Sequence, residues 1–130
     1  MARPKGKSGS GKRPFVRLPY DLLKRPEYIA LGHTAKTLLI DALMQYRGTN
    51  NGDISLALSV MKSRGWSSND TLNRAIKELL SAELLVMTRQ GWKNKCSLYG
   101  FTWLPINECK NKLDIQPSAI PIKPLSLVNR

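Results

Sequence analysis

Acidic residues are scarce in this chain of 130: nine Asp and Glu stand against 21 Lys and Arg, for a net charge of +12. The carboxylates are scattered, and no two are spaced as an acid–base pair in a predicted cleft, so carboxylate catalysis finds no footing. Histidine occurs once, as His33 just ahead of a predicted helix, where a structural role outweighs that of a general base. Cys96 and Cys109 are the only cysteines, and with one His in a separate segment they do not make a zinc site. Cys96 is expected to pack as a small hydrophobe and Cys109 to be exposed, both reduced. No apolar run approaches the roughly 20 residues needed to cross a bilayer. "MARPKGKSGSGKRP" is basic but has no apolar stretch behind it, so it does not read as a secretory signal. "GSGKRP" lacks the strand before and the helix after that a phosphate-binding loop requires. No enzyme activity, metal or cofactor is expected, and a cytoplasmic, nucleoid-associated location is.

What the chain does have is positive charge and a core. Hydrophobic residues make up 42%, enough for one domain. The excess of cations points to an anionic partner, nucleic acid first, because phosphate contacts supply most non-specific affinity. Residues 1–14 read as a flexible basic arm, in which Arg3, Lys5, Lys7, Lys12 and Arg13 are interleaved with Gly, Ser and Pro. Residues 15–104 read as the folded domain. Residues 105–130, with Pro117, Pro121 and Pro124, read as an extended Pro-rich tail.

Within the domain, Pro19 and Pro26 separate two short helical turns, with Phe15, Leu18, Leu22, Tyr28 and Leu31 packing inward. The first full helix follows Thr34 as its cap. Ala35, Leu38, Leu39, Ala42, Leu43 and Tyr46 line one face, and Gly48 closes it. A short strand at 53–55 leads to a helix capped by Ser55, with Leu56, Val60 and Met61 inward and Gly65 as the stop. A third helix starts at Ser67 or Ser68. Its Leu72, Ala75, Ile76, Leu79 and Leu80 fall at i, i+3, i+4, i+7 and i+8. "LLVMTR" and "CSLYGFTW" then read as two strands of a hairpin with "QGWKNK" at its tip. Leu38, Leu39, Leu43, Leu72, Ile76, Leu79 and Leu98 are expected in one buried cluster. This order is mainly α with a small β-hairpin: the three-helix core plus wing of a winged helix-turn-helix.

The stretch "GDISLALSVMKSRGWSSNDTLNRAIKELLSAELLVMTRQG" resembles the DNA-binding N-terminal domains of the phage replication protein O family and related plasmid and phage proteins. The resemblance runs over roughly residues 33–103. It rests on Ile54-Ser55 at a strand end, a short helix over Leu56–Ser63, the turn Gly65-Trp66-Ser67, and the polar start Ser68–Thr71. Ala75-Ile76 with Leu79, and the strand Leu84–Thr88, complete it. It implies a double-stranded DNA-binding protein of a prokaryote or mobile element, in replication control or transcription.

In a helix-turn-helix the start of the second helix enters the major groove. Asn69, Asn73, Arg74 and Lys77 lie away from the apolar stripe and are the expected base contacts, Arg suiting guanine and Asn adenine. Ser67 and Ser68 at the helix start, Lys62 and Arg64 before the turn, and Arg89, Lys93, Asn94 and Lys95 on the wing are the expected phosphate contacts. Asp70 is expected to answer the helix dipole rather than read cytosine. Trp66 is expected in the core. Trp92 either stacks on sugar or packs back onto Trp103 or Tyr99, with packing favoured. Duplex DNA is thus the expected partner, with a homodimer and, through the tail, replication or transcription proteins as further partners. A protein-interaction adaptor and an RNA-binding factor are the competing functions.

Overall fold

The structure is a computed structural model and describes residues 13–125. Of the arm, Arg13 is described and exposed, whereas Arg3, Lys5, Lys7 and Lys12 lie outside the described residues. The described chain forms five helices and one three-stranded antiparallel sheet, a mixed α/β arrangement.

Pro19 precedes α1 (Tyr20–Leu23), and Pro26 occupies the first turn of α2 (Pro26–Ile29), where its missing N–H costs nothing. Leu22 and Leu31 are buried, and Leu18 and Tyr28 are half-buried. Phe15, expected to pack, is instead 74% exposed, with the Arg17 guanidinium 6.0 Å from its ring centre.

Helix α3 (His33–Leu43) buries Ala35, Leu38, Leu39, Ala42 and Leu43 at helical spacing. Thr34 is not its cap. The cap position is Gly32, whose N–H donates to Oε2 of Glu78 at 2.6 Å, so a carboxylate from a distant helix satisfies the free donor. Strand β1 (Ile54–Ser55) precedes α4 (Leu58–Met61), which tightens into a 3-10 turn at Lys62–Arg64. Ser55 stays in the sheet, so α4 begins at Leu58 without a side-chain cap. Leu56 and Met61 are buried, but Val60 faces solvent.

Helix α5 (Asn69–Ser81) lays Leu72, Ala75, Ile76 and Leu79 against α3. Fully burying one Leu contributes about 2 kcal/mol, so this stripe fixes how the two helices pack. Strands β2 (Leu85–Arg89) and β3 (Leu98–Phe101) form the hairpin, and β3 lies between β2 and β1. Leu85 faces Phe101, Met87 faces Tyr99 and Arg89 faces Leu98, with a bulge between Met87 and Arg89. The bulge turns Thr88 fully inward, and its hydroxyl donates to the Gly52 carbonyl at 2.6 Å. Leu38, Leu39, Leu43, Leu72, Ile76 and Leu79 share one core cluster with Trp66, Phe101 and Trp103. Leu98 is buried but lies outside that cluster.

Residues 105–125, expected to be extended, include a 3-10 turn at Cys109–Asn111 whose three residues have positive φ, and they are laid along the body rather than apart from it. Ile106 is buried and exchanges backbone hydrogen bonds with Ser118 at 3.1 and 2.9 Å. The Asp114 N–H donates to the Thr88 carbonyl and the Lys123 N–H to the Thr102 carbonyl, both at 2.8 Å. The Lys123 ammonium reaches Glu27 at 3.2 Å and Glu83 at 3.1 Å. Arg25 donates to the carbonyls of Lys123 and Pro124 at 2.9 and 2.7 Å.

One side chain ties these parts together. Asn51 is fully buried. Its Oδ1 accepts from the Phe101 N–H at 2.7 Å, and its Nδ2 donates to the carbonyls of Phe101, Leu104 and Pro105 at 3.0, 3.2 and 2.8 Å. The adjacent Gly52 has φ 116°, and a Cβ there would come within 2.6 Å of the Leu113 side chain. No helix among the described residues is long and apolar enough to cross a membrane.

Two predictions follow from this packing. Asn51→Ala strands several buried backbone groups and is expected to cost about 3 kcal/mol, read as a lowered urea midpoint. For the strap at Lys123, hydrogen bonds from its own backbone and from Lys123 hold the Glu27 carboxyl below its ordinary value. Glu83 and Glu27 hold the Lys123 ammonium above its own. The Glu27 contribution is therefore present above the unfolded carboxyl pKa and lost as pH falls through the folded one. The Lys123 contribution is present below the unfolded amine pKa and lost as pH rises through the folded one. Lys123→Met should thus lower the urea midpoint at neutral pH, and the two midpoints should converge as pH falls through the lowered pKa of Glu27 in the folded protein.

Candidate nucleic-acid interface

The approach to α5 is set by a buried carboxylate. Asp41, only 7% exposed, lies on the core side of α3. It accepts from the Trp66 indole N–H at 2.8 Å and from Nε and Nη2 of Arg64 at 3.2 and 3.1 Å. Gly65, between those two donors, has φ 96°, a left-handed conformation that favours glycine and lets the chain reverse. Ser68 then caps α5, its hydroxyl accepting from the Thr71 N–H at 3.1 Å. The sequence Arg64-Gly65-Trp66-Ser67-Ser68 is thus a turn held at both ends, and it fixes where α5 starts.

From that start, α5 exposes Asp70, Arg74 and Lys77 opposite its buried stripe and Asn69 and Asn73 on its flank. Asp70 lies in the first turn, where its charge suits the helix dipole, and it also pairs with Arg74 one turn on. Both partners are largely exposed, so this pair is worth at most about 1 kcal/mol and leaves Arg74 available. Ser67 is exposed. The Ser68 hydroxyl is engaged as the cap, which leaves it a hydroxyl hydrogen to donate. Lys62, Lys77 and Lys93 are exposed and make no ion pair among the described residues.

Two of the cations expected at phosphates also have partners within the fold. Arg64 is bound to Asp41. Arg89 donates through Nε and Nη2 to the Cys96 carbonyl at 3.3 and 2.8 Å, closing the hairpin below its tip. The tip itself is tight. Trp92 and Lys95 exchange backbone hydrogen bonds at 3.0 and 2.8 Å, with Lys93 and Asn94 between them and Asn94 at φ 67°. Lys93, Asn94 and Lys95 are all exposed. Trp92, favoured to pack back, is 57% exposed. The thiol expected to be packed, Cys96, is exposed, whereas Cys109 is half-buried and its pKa is raised by that burial.

The structure therefore gives two polar surfaces, the outer face of α5, where Arg74 and Lys77 stand with Asp70 and Glu78, and the basic hairpin tip. No hydrogen bond or ion pair joins them among the described residues. Among those residues there is also no group of three or more His, Cys, Asp and Glu placed to hold a metal. Asp41, which fixes the turn, and Glu78, which caps α3, were not singled out from the sequence. Asp41 had a usable signal, since it is the one acid within the apolar spacing of α3. Protein-family models, curated proteins and solved structures were each compared with the chain, and none matches it.

Asp41→Ala is expected to cost about 2 kcal/mol by urea denaturation, because it leaves the buried Trp66 N–H without an acceptor. Asp41→Asn, which keeps an oxygen in place, should cost less.

Proposed function

We propose that the chain is a winged helix-turn-helix protein that binds double-stranded DNA in a sequence-dependent way. In this reading α3, α4 and α5 are the three-helix core, β1 and the β2–β3 hairpin are the sheet and wing, and α5 is the reading helix. The observation that carries it is the outer face of α5. Arg74 and Lys77 are exposed opposite a packed stripe, with Asn69 and Asn73 exposed on its flank, on a helix whose start is held by a capped, hydrogen-bonded turn. Side chains of these types, fixed on a rigid element, suit base edges in a major groove. Lys62, Lys93, Asn94 and Lys95, with the Ser67 and Ser68 hydroxyls, would hold phosphates, and the net charge of +12 supplies the long-range attraction. The residues that resemble the phage replication protein O family lie in this same unit, which supports a role in replication control or transcription.

A second reading, a protein-interaction adaptor, is favoured by a cavity of about 610 Å³ lined by Phe15, Leu43, Tyr46, Arg47 and Trp103. It lies by the last turn of α3 and the end of β3, away from the hairpin tip.

A salt titration against a selected duplex and a scrambled one separates the two. Arg74→Ala should lose about 1–3 kcal/mol on the selected site and little on the scrambled one. Lys93→Ala with Lys95→Ala should weaken both and lower the salt slope by about 2. An unchanged specificity ratio for Arg74→Ala would remove α5 as the reading helix and leave the adaptor ahead.

A further inference from the structure

The chain has three tryptophans, and two of them have internal duties. Trp66 donates to Asp41, and Trp103 packs on Phe101 with ring centres 5.3 Å apart. Trp92 has none. It stands 57% exposed at the hairpin tip and has no aromatic partner among the described residues. Exposure alone is common here, as at Phe15 and Tyr20, so what sets Trp92 apart is the closed basic turn that carries it.

The surroundings of Trp92 are built rather than loose. Reciprocal backbone hydrogen bonds to Lys95 close the turn. Below it, the Gly91 N–H donates to the Ser97 hydroxyl at 2.9 Å, and the Gln90 N–H donates to Asp114 at 2.8 Å. Asp114 is itself held by its own N–H on the Thr88 carbonyl. The Lys95 ammonium lies 4.9 Å from the centre of the Trp92 ring, a cation–π contact that steadies the ring and places a charge beside it. Lys93 adds a second exposed cation within the turn, and no acid occurs from Gln90 to Ser97.

We propose that the hairpin tip is a stacking platform for one unpaired base of DNA. The Trp92 ring takes the face of the base, and Lys93 and Lys95 take the phosphates on either side. A planar ring stacks on any base, so the platform recognises the absence of pairing and not a sequence. A base in an intact duplex is already stacked and paired, and removing it is costly. A bulged base is not so constrained and is the preferred ligand. This proposal rests on the DNA-binding reading and extends it to the kind of DNA bound.

The test uses the full chain with two probes, an intact duplex and the same duplex carrying one bulged base, and three proteins: wild type, Trp92→Ala and Trp92→Phe. Wild type should bind the bulged duplex about 10-fold more tightly, within the range that base–aromatic stacking supplies. Trp92→Ala should lose that preference while its affinity for the intact duplex stays within about 2-fold, and Trp92→Phe should keep part of it. Because Trp66 and Trp103 are buried, iodide quenching of the wild type reports chiefly on Trp92, and the bulged duplex should shield it. Equal loss on both probes in Trp92→Ala, no preference in the wild type, or unchanged iodide access each overturns the platform. If the intact duplex still binds, the DNA-binding reading stands without it. If neither probe binds at low salt, that reading and the platform fall together.

Discussion

The Asn51 carboxamide is the constraint on which the sheet depends. Strand β1 pairs Ile54 with Tyr99 and Ser55 with Leu98, so its continuation would bring residue 52 opposite Phe101. The backbone does not continue. Gly52 turns away at positive φ, and the Asn51 side chain takes the vacant place. Its oxygen accepts from the Phe101 N–H and its nitrogen donates to the Phe101 carbonyl, the two bonds a neighbouring strand would make. The same nitrogen also reaches the carbonyls of Leu104 and Pro105, where the chain leaves the sheet. An amide is the one neutral side-chain group that both donates and accepts in this way. Because the site is fully buried, each unmet group would carry its whole desolvation penalty. The end of β3, the exit of the chain and the depth of Thr88 in the core all follow from that corner.

Charge is sorted by the fold in a way that a count of residues does not reveal. Arg64, Arg89, Lys112 and Lys123, all partly exposed, have partners within the chain: Asp41, the Cys96 carbonyl, Asp53, and Glu27 with Glu83. What remains outward on α5 and the hairpin tip is Arg74, Lys77, Lys93 and Lys95, and of these only Arg74 has a carboxylate partner among the described residues. Such exposed pairs contribute little to stability. The cations on α5 and the hairpin tip are therefore dispensable to the fold, whereas Arg64, Arg89 and Lys123 also hold parts of it together.

The sequence revealed what is local. The period of Leu72, Ala75, Ile76 and Leu79 located α5, and Ser68, Gly65, Pro19 and Pro26 located the breaks. Two strands were readable from the apolar runs around Gly91, but with a long, loose tip between them, where the chain instead closes a tight turn between Trp92 and Lys95. Three polar side chains were not, and each acts across a long stretch of chain. Asn51 bonds Phe101 at a separation of 50 residues, Asp41 bonds Trp66 at 25, and Glu78 caps Gly32 at 46. No periodicity encodes a partner so far away. Arg64 and Arg89 were assigned to phosphates because their type and place allow it, and the acceptors beside them, Asp41 and the Cys96 carbonyl, were not foreseen. Trp92 was expected to fold back because exposure is unfavourable. Yet Trp103 lies beyond the far end of β3, and the closed turn at 92–95 holds the ring at the opposite end.

These internal ties bear on how the proposed binding would work. Glu78 joins α5 to the start of α3, Asp41 joins α3 to the turn before α5, and Asn51 anchors the base of the hairpin. Helix and hairpin are each fixed to the same core before any ligand arrives. A surface ordered in advance loses little conformational entropy on association, which is the usual drain on affinity. The local cost at α5 is the parting of Arg74 from Asp70, and that pair is exposed and weak. Asp70 would then be left near the phosphates. Its repulsion is weakest where Arg74 can turn to a base while staying within one helical turn of it. In the proposed binding, an acidic residue beside Arg74 would favour sequences that give that arginine a partner over those that offer phosphate alone, and so would act against non-specific binding, which a net charge of +12 promotes.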